Sequence, residues 1–252
     1  MKATKLWTTV LLALSLTGGI SLAHSLTHIN PAVAETAEVT TAKRVYARAN
    51  PAVVMIRGNT GSGSGFIISS DGYIITNAHV AKDQPTVMTV MMADGKTELP
   101  ADLVGFATGG LDLALLKISR PGKYPTVRLA KSKSIAIGDS VYAIGTPLAE
   151  LNQNTFTNGM VSAFRVDGQV IQHNAAINSG NSGGPLLNNK AEVVGVNTWG
   201  AFSKVVDADG NQVARGTGNV GINFAIGADL VRQFLSDARQ QRISATATIK
   251  DD

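Results

Sequence analysis

One stretch carries the residue types of a nucleophile site: Asn178-Ser179-Gly180-Asn181-Ser182-Gly183-Gly184-Pro185. Ser182 has glycine close on either side, so the backbone there can bend sharply and be approached closely. Main-chain N–H groups are then free to face an oxyanion. Small apolar residues, Ala176 and Ile177, precede the stretch, and the apolar pair Leu186-Leu187 follows it. Taken alone, Gly180-x-Ser182-x-Gly184 also fits the nucleophile elbow of an α/β-hydrolase. Glycine-serine runs are often plain turns as well.

The partners that a serine nucleophile needs separate these readings. The chain has four histidines: His24, His28, His79 and His173. His79 follows the apolar run Tyr73-Ile74-Ile75-Thr76, and Asp112 stands at the mouth of Leu113-Ala114-Leu115-Leu116, where an unpartnered charge would be costly. The order is therefore His79, Asp112, Ser182. An α/β-hydrolase needs its histidine after the serine, and none follows Ser182. The subtilisin order would need Asp71 as the orienting acid, but Asp71-Gly72 reads as turn chemistry. The chymotrypsin order remains. His173 is expected to be a partly exposed strand-end residue. His24 and His28 are spaced like a helical metal pair but have no supporting carboxylate or cysteine, so no metal site and no cofactor are expected.

The elements that would position these residues are strands. Extended segments are expected at 52–57, 66–69, 73–76, 86–92, 98–105, 113–118, 140–145, 156–165, 169–172, 185–188, 193–198 and 219–226, an all-β sandwich or barrel class. Gly61–Gly65 is expected to be a flexible loop, 35–42 a mobile arm, 42–50 a short helix stopped by Pro51, and 243–252 a polar tail. Leu230, Val231, Phe234, Leu235 and Ala238 fall on one face of a C-terminal helix.

Composition sets the remaining bounds. With 252 residues, 44% hydrophobic and 16% charged, the chain is globular, and it lacks cysteine altogether. No basic cluster or aromatic-basic stripe points to nucleic acid. Lys2 and Lys5 ahead of an apolar run of about 17 residues, with Ala32-Val33-Ala34 as a cleavage site, predict a signal peptide over 1–34. Export to the periplasm or another bacterial envelope compartment is therefore expected; the alternative is an uncleaved membrane anchor.

Gly63-Ser64-Gly65-Phe66-Ile67-Ile68, Thr76-Asn77-Ala78-His79-Val80, Leu111-Asp112-Leu113-Ala114-Leu115-Leu116-Lys117-Ile118, Gly138-Asp139 with Ala143-Ile144-Gly145, Asn178–Pro185 and Asn219–Ile226 together resemble the HtrA/Deg family of exported trypsin-like serine proteases. The resemblance implies two six-stranded antiparallel β-barrels over 43–242 with the site in the cleft between them. It implies Ser182 as nucleophile, His79 as general base and Asp112 as its orienting partner. It implies an oxyanion hole in the Gly180-Asn181-Ser182 run, from the N–H groups of Gly180 and Ser182. Asn181 stands where digestive relatives carry an aspartate that pairs with a newly cleaved N-terminus, so the resemblance implies no zymogen cleavage. Ala176, Ile177, Ala201, Gly221, Ile222 and Asn223 are expected to line the primary substrate pocket. Ala176 stands where basic-residue-cleaving relatives have a buried acid, so small or medium aliphatic residues are the expected preference. Unfolded proteins or peptides are the expected substrates. A homotrimer is implied through N-terminal aromatic contacts, with Tyr46 near the relevant position.

Three departures from the family pattern stand out. Asp252 follows soon after the C-terminal helix, giving the expectation of a protease domain without the PDZ domain of about 80–100 residues common among relatives. Asn174 stands where relatives commonly have aspartate. The segment Trp199–Gly218 is long for the family's loop and is expected to abut the pocket. Within it, Asp207-Ala208-Asp209-Gly210-Asn211 reads as a hairpin turn rather than a calcium loop. Two other functions compete with an endopeptidase: a non-catalytic, chaperone-like module using the same cleft, and an esterase.

Overall fold

The computed structural model describes residues 36–59, 61–146, 153–166, 168–206 and 212–248. The expected signal peptide, His24 and His28 lie outside these residues, as does the turn 207–211.

The first helix, α1 (Ala37–Ala49), starts earlier than the sequence suggested. The Thr36 hydroxyl accepts the Val39 N–H at 3.3 Å, and Glu38 sits in the first turn, where the helix dipole favours an anion. A good cap thus recruits most of the expected mobile arm into the helix. Val45 and Ala49, four apart, are its buried face, and a 3₁₀ turn at Asn50–Ala52 carries Pro51 and ends it. Tyr46 lies edge-on to Phe156 of its own chain, with ring centroids 5.4 Å apart.

The first barrel consists of β1 (Val53–Arg57), β2 (Ser62–Ile67), β3 (Tyr73–Thr76), β4 (Val87–Met91), β5 (Glu98–Phe106) and β6 (Ala114–Ile118). It closes in the order β1-β2-β3-β6-β5-β4. Gly63 and Gly65, expected in a flexible loop, are strand residues opposite Ile56 and Val54. Packing explains the two glycines. A Cβ on Gly65 would come 2.9 Å from Ile56 Cδ1, and one on Gly63 2.6 Å from Val80 Cγ1. Asp71 performs the expected turn work. Its carboxylate accepts from Ser69 Oγ and pairs with Lys117 Nζ at 2.8 Å.

The second barrel is built from β8 (Ser140–Gly145), β9 (Thr155–Arg165), β10 (Val170–His173), β11 (Pro185–Leu187), β12 (Glu192–Val206) and β13 (Gln212–Gly227). Its order is β11-β8-β9-β10-β13-β12, and β12 pairs back onto β11. A short β7 (Arg128–Leu129) runs parallel to β12. Val141, Val161, Ile171, Leu186, Val194 and Ala225 form its interior; full burial of each valine, leucine or isoleucine contributes about 1.5–3 kcal/mol. In its described parts, 199–206 and 212–218, the Trp199–Gly218 segment continues β12 and β13, pairing out to Val206 opposite Gln212, where a loop was expected. Its valines and threonine suit an extended ribbon.

Between β3 and β4 lies the short helix α2 (Ala78–Ala81), and at the end comes α3 (Ala228–Arg239). Val231 and Phe234 of α3 are buried, with Leu230, Leu235 and Ala238 packed around them as the spacing predicts. The expected polar tail turns back instead. Ser244 and Phe106 exchange backbone hydrogen bonds at 2.8 and 2.9 Å, and Ile243 and Ala247 pack on the apolar core.

Candidate active site

Register brings His79 and Asp112 together. In the antiparallel pair β3–β6, Thr76 lies opposite Ala114, so the residues just beyond β3 meet those just before β6. Asn77 strengthens the junction by donating its side-chain amide to the Asp112 carbonyl at 2.8 Å. The Asp112 carboxylate then grips His79 twice. Oδ1 accepts the His79 backbone N–H at 2.9 Å, and Oδ2 contacts Nδ1 at 2.8 Å. This contact sets the Nδ1 edge of the ring against the carboxylate and leaves Nε2 on the opposite edge. The His79 side chain is 38% exposed, so Nε2 is reachable by a substrate.

Two consecutive tight turns present Ser182. Asn181 N–H returns to the Asn178 carbonyl and Gly184 N–H to the Asn181 carbonyl, both at 3.0 Å. The third residue of each turn has positive φ, Gly180 at +97° and Gly183 at +83°. Type II geometry demands this, and glycine meets it without strain. At Gly183 space is exhausted too, since a Cβ would fall 2.2 Å from the Ser64 carbonyl oxygen. Ser182 is the second residue of the second turn. Among the described residues its N–H and that of Gly180 donate no hydrogen bond, while the N–H groups of Asn181, Gly183 and Gly184 are all used. Among the described residues, two unused donors thus stand together on this turn, one on the serine itself and one two residues before it.

Thr198 on β12 connects the three groups, and sequence reasoning missed it. Its hydroxyl donates to Asp112 Oδ2 at 2.7 Å, and its carbonyl accepts the Ser182 hydroxyl at 3.1 Å. Ser182 therefore bonds to Thr198 and not to the His79 ring; such contacts often tighten only when substrate binds. The neighbouring Asn197 accepts Gly183 N–H at 2.8 Å and donates its N–H to the Gly184 carbonyl at 2.9 Å. The available signal was a buried polar pair, Asn197-Thr198, ending the apolar run Val193–Val196, since polar groups there require partners.

The expected pocket residues divide. Ala176 and Ile222 are exposed, Ile177 packs into the second barrel's interior, Gly221 turns at φ +75°, and Ala201 belongs to β12. Buried Asn223 crosses from β13 to donate to the Ala175 carbonyl at 2.8 Å, which ties the strand to the segment leading to Ser182. Asn174 accepts Met160 N–H at 2.7 Å through Oδ1, an acceptor role that asparagine fills without charge. Asn181 is likewise buried and uncharged, so no ammonium is required to neutralise it.

His173 corrects the sequence reading, being 0% exposed instead of partly exposed. It alternates with Gln172 along β10, so it shares the inward face of Ile171. Neither ring nitrogen has a hydrogen-bond partner, and Asn197 Oδ1 is also unpaired. Burial lowers its pKa from 6.5 to about 4, outweighing the opposite influence of Asn197.

With this geometry in view, the family described as the trypsin-like peptidase domain matches residues 63–196. The chain belongs to the trypsin-like peptidases. Its curated relatives bear HtrA names. Serine protease HTRA4 of Mus musculus is 36% identical over 199 residues, covering 75% of this chain and 37% of that protein. Serine protease HTRA1 of Xenopus tropicalis is 38% identical over 199 residues, covering 75% and 38%. The chain thus spans under two-fifths of these relatives' length. The crystal structure of the serine endoprotease from Yersinia pestis superimposes with a TM-score of 0.65 at 32% identity, covering 80% of this chain and 68% of that one.

Proposed function

We propose that the chain is a serine endopeptidase of the envelope that degrades unfolded or damaged exported proteins, cleaving after small or medium aliphatic residues. The observation that carries the reading is the shared network in which Asp112 accepts from His79 and Thr198 while Thr198 accepts from Ser182. Ser182 Oγ attacks the scissile carbonyl as its proton passes to His79 Nε2. The developing oxyanion takes hydrogen bonds from Gly180 and Ser182 N–H, each worth about 3–4 kcal/mol in comparable sites. His79 returns the proton to the leaving amine. Water then attacks the acyl ester, giving its proton to His79, and the carboxylic acid departs with Ser182 restored. Esters follow the same route. The leader-like residues 1–34 support export.

A fluorophosphonate should label Ser182, one group per chain, as read by peptide mass mapping; no label, or a label elsewhere, would remove the reading. Cleavage-site mapping on an unfolded protein should return mainly Val, Ala and Ile before the scissile bond. A Lys or Arg majority would sink the pocket assignment, since Ala176 offers a cation no counter-charge. Thr198→Val keeps the shape but removes a hydrogen bond to a carboxylate, worth about 1.5–3 kcal/mol. Its kcat on a peptide nitroanilide should fall at least tenfold at nearly constant KM. Unchanged kcat would mean that Asp112 is positioned without Thr198, by His79 and Asn77.

A further inference from the structure

Ser64 lies on β2 of the first barrel, yet its polar atoms are directed largely at the nucleophile loop of the second. It is fully buried. Its backbone N–H donates to the Ser182 carbonyl at 2.8 Å. Its hydroxyl donates to the Gly180 carbonyl at 2.7 Å and accepts the Thr146 N–H at 3.0 Å. Its own carbonyl accepts the Thr76 hydroxyl at 2.7 Å, just before the turn into His79. Every polar function of one small side chain and its peptide groups is therefore engaged. The surroundings leave no slack, because a Cβ on Gly145 would lie 2.9 Å from Ser64 Oγ.

The bond to Gly180 bears on the oxyanion donors. A peptide group is planar, so its carbonyl and the following N–H turn together. The Gly180–Asn181 peptide is held at both ends, its carbonyl by Ser64 and its N–H by the Asn178 carbonyl. The next peptide is held at its carbonyl by Gly184 N–H, which directs the Ser182 N–H the opposite way. Gly180 has no side chain to fix its backbone, and φ of either sign is open to it. The Ser64 hydroxyl fixes the peptide plane on the carbonyl side of that glycine, one of the two planes whose relative rotation about the Gly180 Cα sets where the Gly180 N–H points.

We propose that Ser64 is a positioning residue that holds Gly180 in the conformation aiming its N–H at the substrate oxyanion. This rests on the endopeptidase reading above. Losing the hydroxyl leaves a buried carbonyl unsatisfied and lets the turn relax toward conformations without the Gly180 donor. Removing one such donor outright costs 10²–10³-fold in kcat in comparable sites, so partial loss should cost about 10- to 100-fold.

The test uses the full chain carrying Ser64→Ala and, separately, Ser64→Cys. Cysteine fills the serine volume but donates a hydrogen bond only weakly. Substrate is a peptide nitroanilide with valine before the scissile bond, and inhibitor is the matching peptide aldehyde, whose adduct with Ser182 places an oxyanion in the same position. Both variants should lose about 10- to 100-fold in kcat, with KM within about twofold, and aldehyde affinity should fall in parallel. Binding of the uncleaved peptide to Ser182→Ala/Ser64→Ala should match that to Ser182→Ala. Unchanged kcat in either variant, recovery of kcat by cysteine, or equal losses in kcat and peptide binding would overturn the proposal. If Ser182→Ala itself retains full cleavage, the endopeptidase reading fails first, which keeps the two failures distinct.

Discussion

Ser182→Ala should digest denatured casein about 10⁶-fold more slowly than the parent chain, because a triad acts as a unit and loses nearly all its power with its nucleophile. The substitution is gentle on the fold. It removes one part-buried hydroxyl that donates to the Thr198 carbonyl at 3.1 Å. The two turns around it are held by backbone bonds and by glycine φ angles that alanine at position 182 leaves intact. The thermal midpoint should therefore shift little, since a partly exposed neutral hydrogen bond contributes about 1 kcal/mol or less. His79→Ala should cost nearly as much, and Ser182→Ala/His79→Ala little more than either alone. The comparison also separates the competing functions. A binding module would retain its affinity for unfolded chains in all three variants without ever showing turnover in the parent. Activity in Ser182→Ala within tenfold of the parent would exclude Ser182 as the nucleophile.

Much of this arrangement was readable from local residue chemistry. The order His79, Asp112, Ser182 excluded two other serine-hydrolase schemes, and Asp71 does occupy a turn, paired with Lys117. Strand positions followed from apolar runs and turn residues, and α3 from its helical spacing. What escaped depends on partners far away in the chain. Thr198 matters because Asp112 lies across a β-pairing boundary, 86 residues earlier. Ser64 reads as part of a Gly-Ser linker until its partner Gly180, 116 residues away, is known. The tail at Ile243 looks polar on average, yet it packs at Gly105, where a Cβ would lie 2.7 Å from Ile243 Cδ1. His173 was misjudged for a similar reason. A strand-end histidine is ordinarily wet, and only the closure of β10 against β9 and β13 encloses this one.

That enclosure makes folding stability sensitive to mild acid. The folded pKa of His173 is about 4, against an ordinary 6.5, because burial disfavours the charged ring. Above pH 6.5 the ring is neutral in both folded and unfolded chains, and the folded state keeps its full stability. As pH falls from 6.5 toward 4 the unfolded chain takes up a proton that the folded chain refuses. Stability is lost across that window and levels off once both states are protonated. The expected loss is on the order of 3 kcal/mol. No neighbour on the adjoining strands can neutralise the ring, since its register partners Val161 and Asn223 and the nearby Asn197 are uncharged. Carboxylates act in a different range. Asp71, Asp229 and Asp237 are held below the usual 3.8 by hydrogen bonds to Lys117, Ser132 and Arg242, and Asp94 is lowered to about 2 by Thr97. Their contributions are present above 3.8 and vanish below it, beneath the histidine window. Urea unfolding of the full chain at pH 7, 6, 5 and 4.5 should therefore show a falling midpoint in the parent and a nearly flat one in His173→Gln, whose amide takes no proton. The two proteins need not agree at pH 7; the slope is the readout. Parallel slopes would mean that His173 accepts its proton in the folded barrel, which its unpaired, fully buried ring argues against.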